Sequence, residues 1–188
     1  MKIHKTRIPD CYEIVPTIFR DERGTFVKTL HEETFREKKL ETHFVEEYYS
    51  VSFKRVLRGL HFQIPPKDCE KLVYCVSGSV LDVVVDLRIG SPEYGKFEVF
   101  ELNSKKANII YVPTGLAHGF YVLSENAILI YKTTALYSPQ HDSGIRWNSV
   151  NIPWVDKNPI VSERDQGFVA LGDFHSPFKF EKSNEIKE

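Results

Sequence analysis

The sequence has no apolar run long enough to cross a bilayer. Its longest, VLDVVVDL and NIIYV, fall far short of the roughly 20 residues a spanning helix needs. Residues 1–20, beginning MKIHKTRIPDCYEIV, lack the continuous apolar stretch of a secretion signal. Cysteine is scarce: Cys11, Cys69 and Cys75 are an odd number with no CxxC pair. That argues against a disulfide framework or a structural zinc site, and suits reduced thiols in a cytoplasmic protein. Neither sign of charge dominates, with 25 Lys and Arg against 26 Asp and Glu and a formal net charge of -1. Nothing global draws the chain to nucleic acid or to an anionic membrane. No internal repeat, low-complexity stretch or linker interrupts residues 1–170. The 188 residues therefore read as one domain, 1–178, followed by a frayed polar tail, 179–188.

Most of that domain reads as strand. Lys71–Val76, the turn Ser77-Gly78-Ser79 and Val80–Arg88 have the pattern of a hairpin. Phe97–Leu102, Ile109–Val112, Phe120–Leu123 and Ala127–Thr133 follow, separated by polar residues, Gly or Pro. Short β-rich runs at this spacing predict a sandwich or barrel, not βαβ units. Helix is expected only over His31–Leu40, which has good helix formers and no Gly or Pro.

The most informative stretch is VLRGLHFQ, Val56–Gln63. With regular alternation, Arg58, Leu60 and Phe62 share one face, and His61 points to the other with Gly59 and Gln63. A histidine facing a barrel interior is partly desolvated and held near neutral, which suits a general base; a hydrogen-bonded structural histidine fits the same pattern. In VPTGLAHGF, Pro113, Gly115 and Gly119 bracket His118 in what reads as a tight connection between strands. Two histidines on separate strands also raise a metal site. Metal-dependent barrels offer an H-x-H pair followed by a Glu, however, and the position two after His61 is Gln63. Lys71, Tyr131, Lys132, Tyr137 and Asp165 are the remaining ionisable candidates. Lys71 and Tyr131 stand on strongly apolar strands, where a charged or phenolic tip must find a partner or a cavity. Each alone is ordinary; their joint occurrence carries the signal.

Taken together, Asp21-Glu22-Arg23-Gly24, VLRGLHFQ, KLVYCVSGSVLDVVVDLR, SPEYGK, VPTGLAHGF, YKTTALYSP, GIRWNS and VSERD resemble, in order, the dTDP-4-dehydrorhamnose 3,5-epimerase family. The resemblance implies an all-β, cupin-like jelly-roll barrel with short peripheral helices, assembled as a homodimer. It also implies a cofactor-independent epimerase acting on a nucleotide diphosphate-linked 4-keto sugar. By that resemblance His61 is the catalytic base beside the C4 ketone, and Asp165 orients it and stabilises the imidazolium. Lys71 stabilises the developing enolate and Tyr131 returns a proton from the opposite face. His118 and Arg58 contact substrate, Arg23 reaches the diphosphate across the dimer, and Tyr137 stacks on the base. Asp142 and Arg164 join the expected substrate-binding set.

The chain departs from the family at two places. Glu46-Glu47-Tyr48 stands where a Q-x-N segment is usual, and Phe26-Val27-Lys28 where F-x-E is usual. Glu46, Tyr48 and Lys28 therefore belong to recognition. A glutamate only accepts hydrogen bonds, which raises CDP or GDP as alternatives to dTDP. Tyr48 adds bulk that fits another sugar or inversion at one carbon only. The rival readings are a mono-epimerase, a 3,4-ketoisomerase on the same barrel, and a barrel that binds sugar nucleotides without catalysis.

Overall fold

The computed structural model describes residues 1–181. In chain order its strands are β1 (Lys2–Lys5), β2 (Tyr12–Val15), β3 (Ile18–Asp21), β4 (Gly24–Val27), β5 (Glu46–Phe53), β6 (Leu57–Gln63), β7 (Lys71–Ser77), β8 (Ser79–Asp86), β9 (Phe97–Asn103), β10 (Ile109–Val112), β11 (Leu116–Val122), β12 (Asn126–Thr133) and β13 (Asp142–Gly144). Two short helices, α1 (Glu32–Glu37) and α2 (Glu163–Gln166), lie outside them. The strands form one sheet in the order β1-β2-β10-β7-β12-β5 and another in the order β13-β6-β11-β8-β9, while β3 and β4 make a separate hairpin. All these pairings are antiparallel. This is the expected jelly-roll barrel.

Period-two alternation explains how the layers stack. Val73 and Cys75 of β7, with Ala127, Leu129 and Tyr131 of β12, face inward. They meet Val80 and Val84 of β8, Leu102 of β9, and Phe120 and Val122 of β11 in one core between the sheets. The opposite face of the five-stranded sheet (Leu60, Phe62, Val83, Val85, Ala117) is covered by the C-terminal segment through Ile152, Trp154, Phe174 and Phe178. The opposite face of the six-stranded sheet (Leu72, Tyr74, Ile109, Tyr111) is covered by α1 through Phe35 and by Leu40. Burying one such side chain is worth about 1.5–3 kcal/mol, so these shells hold the sheets in place.

Four expectations need correction. Lys71–Arg88 is not a hairpin: β7 pairs with β10 and β12, and β8 with β9 and β11, so the chain changes sheet at Gly78. Gly78 has φ +79, and a Cβ there would sit 2.1 Å from the Asn126 carbonyl oxygen. His118 lies within β11, not in a connection. The helix expected over His31–Leu40 shortens to Glu32–Glu37 and ends before Lys39, which has φ +54. Lys179 and Phe180, expected in the tail, are tied to the barrel: Lys179 bridges Ile89 and the Phe180 N–H donates to the Ile89 carbonyl at 2.9 Å. Residues 182–188 of that tail lie outside the described residues. Among the described residues no helix is long and apolar enough to cross a membrane.

Candidate active site

The inward faces that build the core also build a cavity of about 480 Å³. That is within the usual size for a small-molecule site. His61, Lys71, His118, Tyr131, Arg58, Glu46, Tyr48, Tyr137, Asp142 and Arg164 all line it. The walls have different origins. Arg58, His61 and His118 come from the five-stranded sheet, and Lys71, Tyr131, Tyr48 and Glu46 from the six-stranded sheet.

Regular alternation does not describe β6. Opposite β11, His61 pairs with His118 but Arg58 with Phe120, so β6 carries an extra residue there. The bulge lets Arg58 and His61 both face the cavity while Leu60 and Phe62 face the other way into the covered shell. It rests on a close approach, since a Cβ on Gly59 would lie 2.6 Å from the Gly119 Cα.

Asp165 belongs to α2, where the Ser162 hydroxyl accepts its N–H at 3.1 Å as a helix cap. In a capping box the acid at this position reaches back to the cap N–H. Here both oxygens are turned to β6: Oδ1 meets His61 Nε2 at 2.8 Å, and Oδ2 accepts the Gly59 N–H at 2.9 Å. Burial alone would raise this carboxyl, but the hydrogen bonds from His61 and Gly59 hold it below the ordinary carboxylate value. An ionised Asp165 only accepts, so the proton of neutral His61 sits on Nε2 and the Nδ1 lone pair is bare. Burial pushes the imidazole below its ordinary value; the bond and charge of Asp165 oppose the shift, and the charges of Lys71 and Arg164 add to it. A neutral, oriented imidazole results.

Lys71 reaches the His61 carbonyl at 3.5 Å, and burial pushes its ammonium below the ordinary value against the opposing charges of Cys69 and Asp142. Tyr131 is 7% exposed, and burial drives its phenol well above the ordinary value, so it stays protonated. Its hydroxyl shares a hydrogen bond with Ser50 Oγ at 3.2 Å. His118 is pinned by Asp82, with Nε2 2.8 Å from Oδ2 and both side chains almost fully buried. Arg58 donates to Ser52 Oγ at 2.9 Å.

The rim is a connected network. Glu46 accepts the Tyr137 N–H at 2.7 Å, the Tyr137 hydroxyl donates to Asp142 at 3.3 Å, and Arg164 pairs with Asp142 at 2.7 Å. Gln63 pins the same loop, accepting the Ser138 N–H at 2.6 Å and donating to the Lys67 carbonyl at 2.7 Å. Arg23 and Lys28 are not brought in. Arg23 lies at the β3–β4 turn, paired with Asp21 and 86% exposed, and Lys28 lines a separate depression with Phe19 and Phe26. Among the described residues, no group of three or more His, Cys, Asp or Glu side chains is gathered as metal ligands.

Sequence reasoning missed Ser50, Ser52, Asp82 and Phe168, whose ring meets His61 edge-on at 5.7 Å. Two signals were available. Ser50 and Ser52 share the face of Tyr48 by alternation, and Asp82 is an acid in the middle of the apolar run Val80–Val85.

The arrangement sets a neutral imidazole on one wall of a cavity, against a lysine and a protonated phenol on the other. Comparison with known proteins agrees. The sequence profile described as dTDP-4-dehydrorhamnose 3,5-epimerase matches residues 5–173. The enzyme of that name from Shigella flexneri is 43% identical over 170 residues, covering 88% of this chain and 93% of its own. A solved dTDP-6-deoxy-D-glucose-3,5-epimerase from Legionella pneumophila, in complex with dTDP-4-keto-L-rhamnose, superposes with a TM-score of 0.91 at 33% identity and covers 96% of this chain and 98% of that one. A 3′-monoepimerase from Streptomyces bikiniensis, in complex with dTDP-quinovose, gives a TM-score of 0.85 at 31% identity over 90% of this chain and 87% of that one. With the fold, the profile over nearly the whole barrel and this identity in agreement, the chain belongs to the dTDP-4-dehydrorhamnose 3,5-epimerase family.

Proposed function

We propose that this chain inverts C3 and C5 of a dTDP-linked 4-keto-6-deoxyhexose. The observation that carries the reading is the placement of His61 and Tyr131 on facing sheets. His61 Nδ1 removes the proton on a carbon beside the C4 ketone, and the electron pair moves onto the ketone oxygen as an enolate. The Lys71 ammonium stabilises that oxygen, a charge absent from the ground state. The enolate then collapses as Tyr131 delivers its hydroxyl proton from the opposite face, inverting the carbon. Solvent removes the proton from His61 and returns one to Tyr131. Only protons move, so the balance calls for no redox cofactor.

Arg58 and His118 are assigned to the sugar and phosphates, and the rim of Tyr137, Asp142 and Arg164 to the nucleotide. dTDP is favoured over CDP or GDP because the Legionella and Streptomyces relatives carry dTDP sugars, and because Glu46 already spends one oxygen on the Tyr137 N–H. Assembly as a homodimer is part of the proposal. Tyr49, Val51 and Phe53 alternate with the cavity-facing residues of edge strand β5 and are 69%, 49% and 71% exposed, an apolar stripe that a second copy would cover. In that assembly the partner's Arg23 reaches the diphosphate. A cytoplasmic setting is supported by Cys11, Cys69 and Cys75, all buried free thiols.

The test is proton NMR of the protein in D₂O with dTDP-4-keto-6-deoxyglucose and with its CDP and GDP counterparts. Deuterium entering and inverting both C3 and C5 of the dTDP sugar is the expected result. Turnover at one carbon makes the chain a mono-epimerase, turnover confined to another nucleotide reassigns the substrate, and binding without exchange leaves a non-catalytic barrel.

A further inference from the structure

Tyr48 stands where the family pattern has an asparagine, and the structure shows where its ring lies. β5 and β12 run antiparallel with Tyr48 directly opposite Tyr131. Directly opposed residues project to the same side of a sheet. Both rings therefore enter the cavity side by side, stacked with centroids 4.8 Å apart and planes 15° apart. His118 meets the Tyr131 ring edge-on at 6.2 Å, and Ser50 holds its hydroxyl at 3.2 Å. Tyr131 is thus fixed at its tip, along an edge and across a face. Tyr48 is 44% exposed against 7% for Tyr131, so Tyr48 is the outer ring of the stacked pair.

We infer that Tyr48 is a positioning residue for Tyr131, its stacked ring holding the phenol at the angle from which it protonates the enolate. The inference rests on the function proposed above and deepens it. Once His61 has taken a proton, the enolate has two fates. Return of a solvent-exchanged proton from His61 gives deuterium with retention, and donation by Tyr131 gives inversion. The number of inversions per exchange event therefore reports how well Tyr131 is aimed, independently of how fast His61 works. Burial pushes the Tyr48 phenol to about 12, so both rings remain protonated and neutral while they stack.

The experiment compares the wild type, Tyr48→Phe and Tyr48→Asn in D₂O with dTDP-4-keto-6-deoxyglucose, counting deuterium incorporation and inversion at each carbon. Tyr48→Asn, which removes the ring, is expected to lower inversions per exchange by roughly two- to tenfold, the scale of one aromatic pair. Tyr48→Phe, which keeps the ring, is expected to restore the wild-type ratio. An unchanged ratio in Tyr48→Asn, with exchange still occurring, overturns this inference and leaves the epimerase reading intact. A Tyr48→Phe ratio as low as that of Tyr48→Asn also overturns it, because the hydroxyl and not the ring would then be what matters. No exchange in the wild type with any nucleotide removes both this inference and the function beneath it.

Discussion

Asp165 binds the ring of His61 through one oxygen, at 2.8 Å, and the backbone N–H of Gly59 through the other, at 2.9 Å. One carboxylate on a four-residue helix thus fixes both the imidazole and the bulged strand that carries it. The geometry of the base depends on a contact between residues 104 positions apart in sequence.

Replacing that carboxylate has a definite sign. In the folded protein burial lowers the His61 pKa and Asp165 raises it, so Asp165→Asn leaves the burial unopposed. The acidic limb of kcat/KM is expected below the ordinary histidine value of 6.5 in the wild type and at still lower pH in the variant. Its plateau falls as well, because an orienting carboxylate of this kind is worth up to about 10⁴ in kcat. Stability follows the same groups. Both folded pKa values are depressed, so from 6.5 downward for His61, and from 3.8 downward for Asp165, the unfolded state takes up protons that the folded state does not. Melting temperature should therefore fall on acidification across both windows, and the Asp165 part should vanish in the variant. A pH-rate profile with parallel thermal melts reads both; an acidic limb that rises in Asp165→Asn would contradict the assigned dyad.

His61→Ala removes the proposed base itself. Proton transfer by a positioned side chain contributes about 10²–10⁴ in rate, and turnover should fall by that amount. Deuterium wash-in should be lost at every carbon that the wild type exchanges, while calorimetric binding of dTDP changes little. Retained wash-in in this variant would move the base to another residue.

Tyr131→Phe separates the two half-reactions. The ring, its stacking on Tyr48 and its edge contact with His118 survive, and the hydroxyl alone is lost. Exchange with solvent is expected to continue while inversion nearly stops. Normal epimerisation would show that Tyr131 is not the acid, and Tyr137 or a water would take its place.

Much of this was legible in the sequence and some was not, for physical reasons. Core strands such as β7 and β12 announce themselves because their apolar runs are bounded by polar residues and glycine, and His61, Lys71 and Tyr131 do line one cavity, with Asp165 paired to His61. Alternation fails at β6, where the bulge sets Arg58 and His61 on one side, and a bulge depends on pairing with β11 rather than on local composition. The β7–β8 turn looks like a hairpin because a glycine turn reads the same whether the chain doubles back or crosses to a facing sheet; only the neighbouring strands decide it. Asp82 and Ser50 escaped notice because their importance lies in partners far along the chain, His118 and Tyr131.

Lys71 is expected to set the alkaline side. Burial holds its folded pKa below the ordinary 10.5, so enolate stabilisation should fade as pH rises through a value under 10.5. Lys71→Met keeps the length and removes the charge, with an expected loss of about 10²–10³ in kcat, the scale for removing one donor to a developing oxyanion. Chelators should leave the wild type unaffected, because the cation in this site is part of the chain. An activity profile flat beyond pH 10.5, or a strong response to chelation, would remove Lys71 from the role.

The proposed dimer yields a prediction that no single-chain reading reproduces. Arg23 lies on the outlying β3–β4 hairpin, away from its own cavity, and is assigned to the diphosphate in the partner's site. Arg23→Ala and His61→Ala should each be poorly active as homodimers. Co-expressed, they form mixed dimers in which one site has its own intact His61 together with an intact Arg23 from the His61→Ala chain, and the other site has neither. With random pairing half the dimers are mixed and one of their two sites is whole, so about a quarter of wild-type activity should return. If Arg23 serves its own chain instead, both sites of every mixed dimer stay defective and nothing returns. Phe53→Glu provides the control, placing a charge in the exposed apolar stripe of β5. It should shift the mass measured by light scattering towards the monomer and abolish the complementation. Recovery that survives monomerisation would show that the sites do not share Arg23.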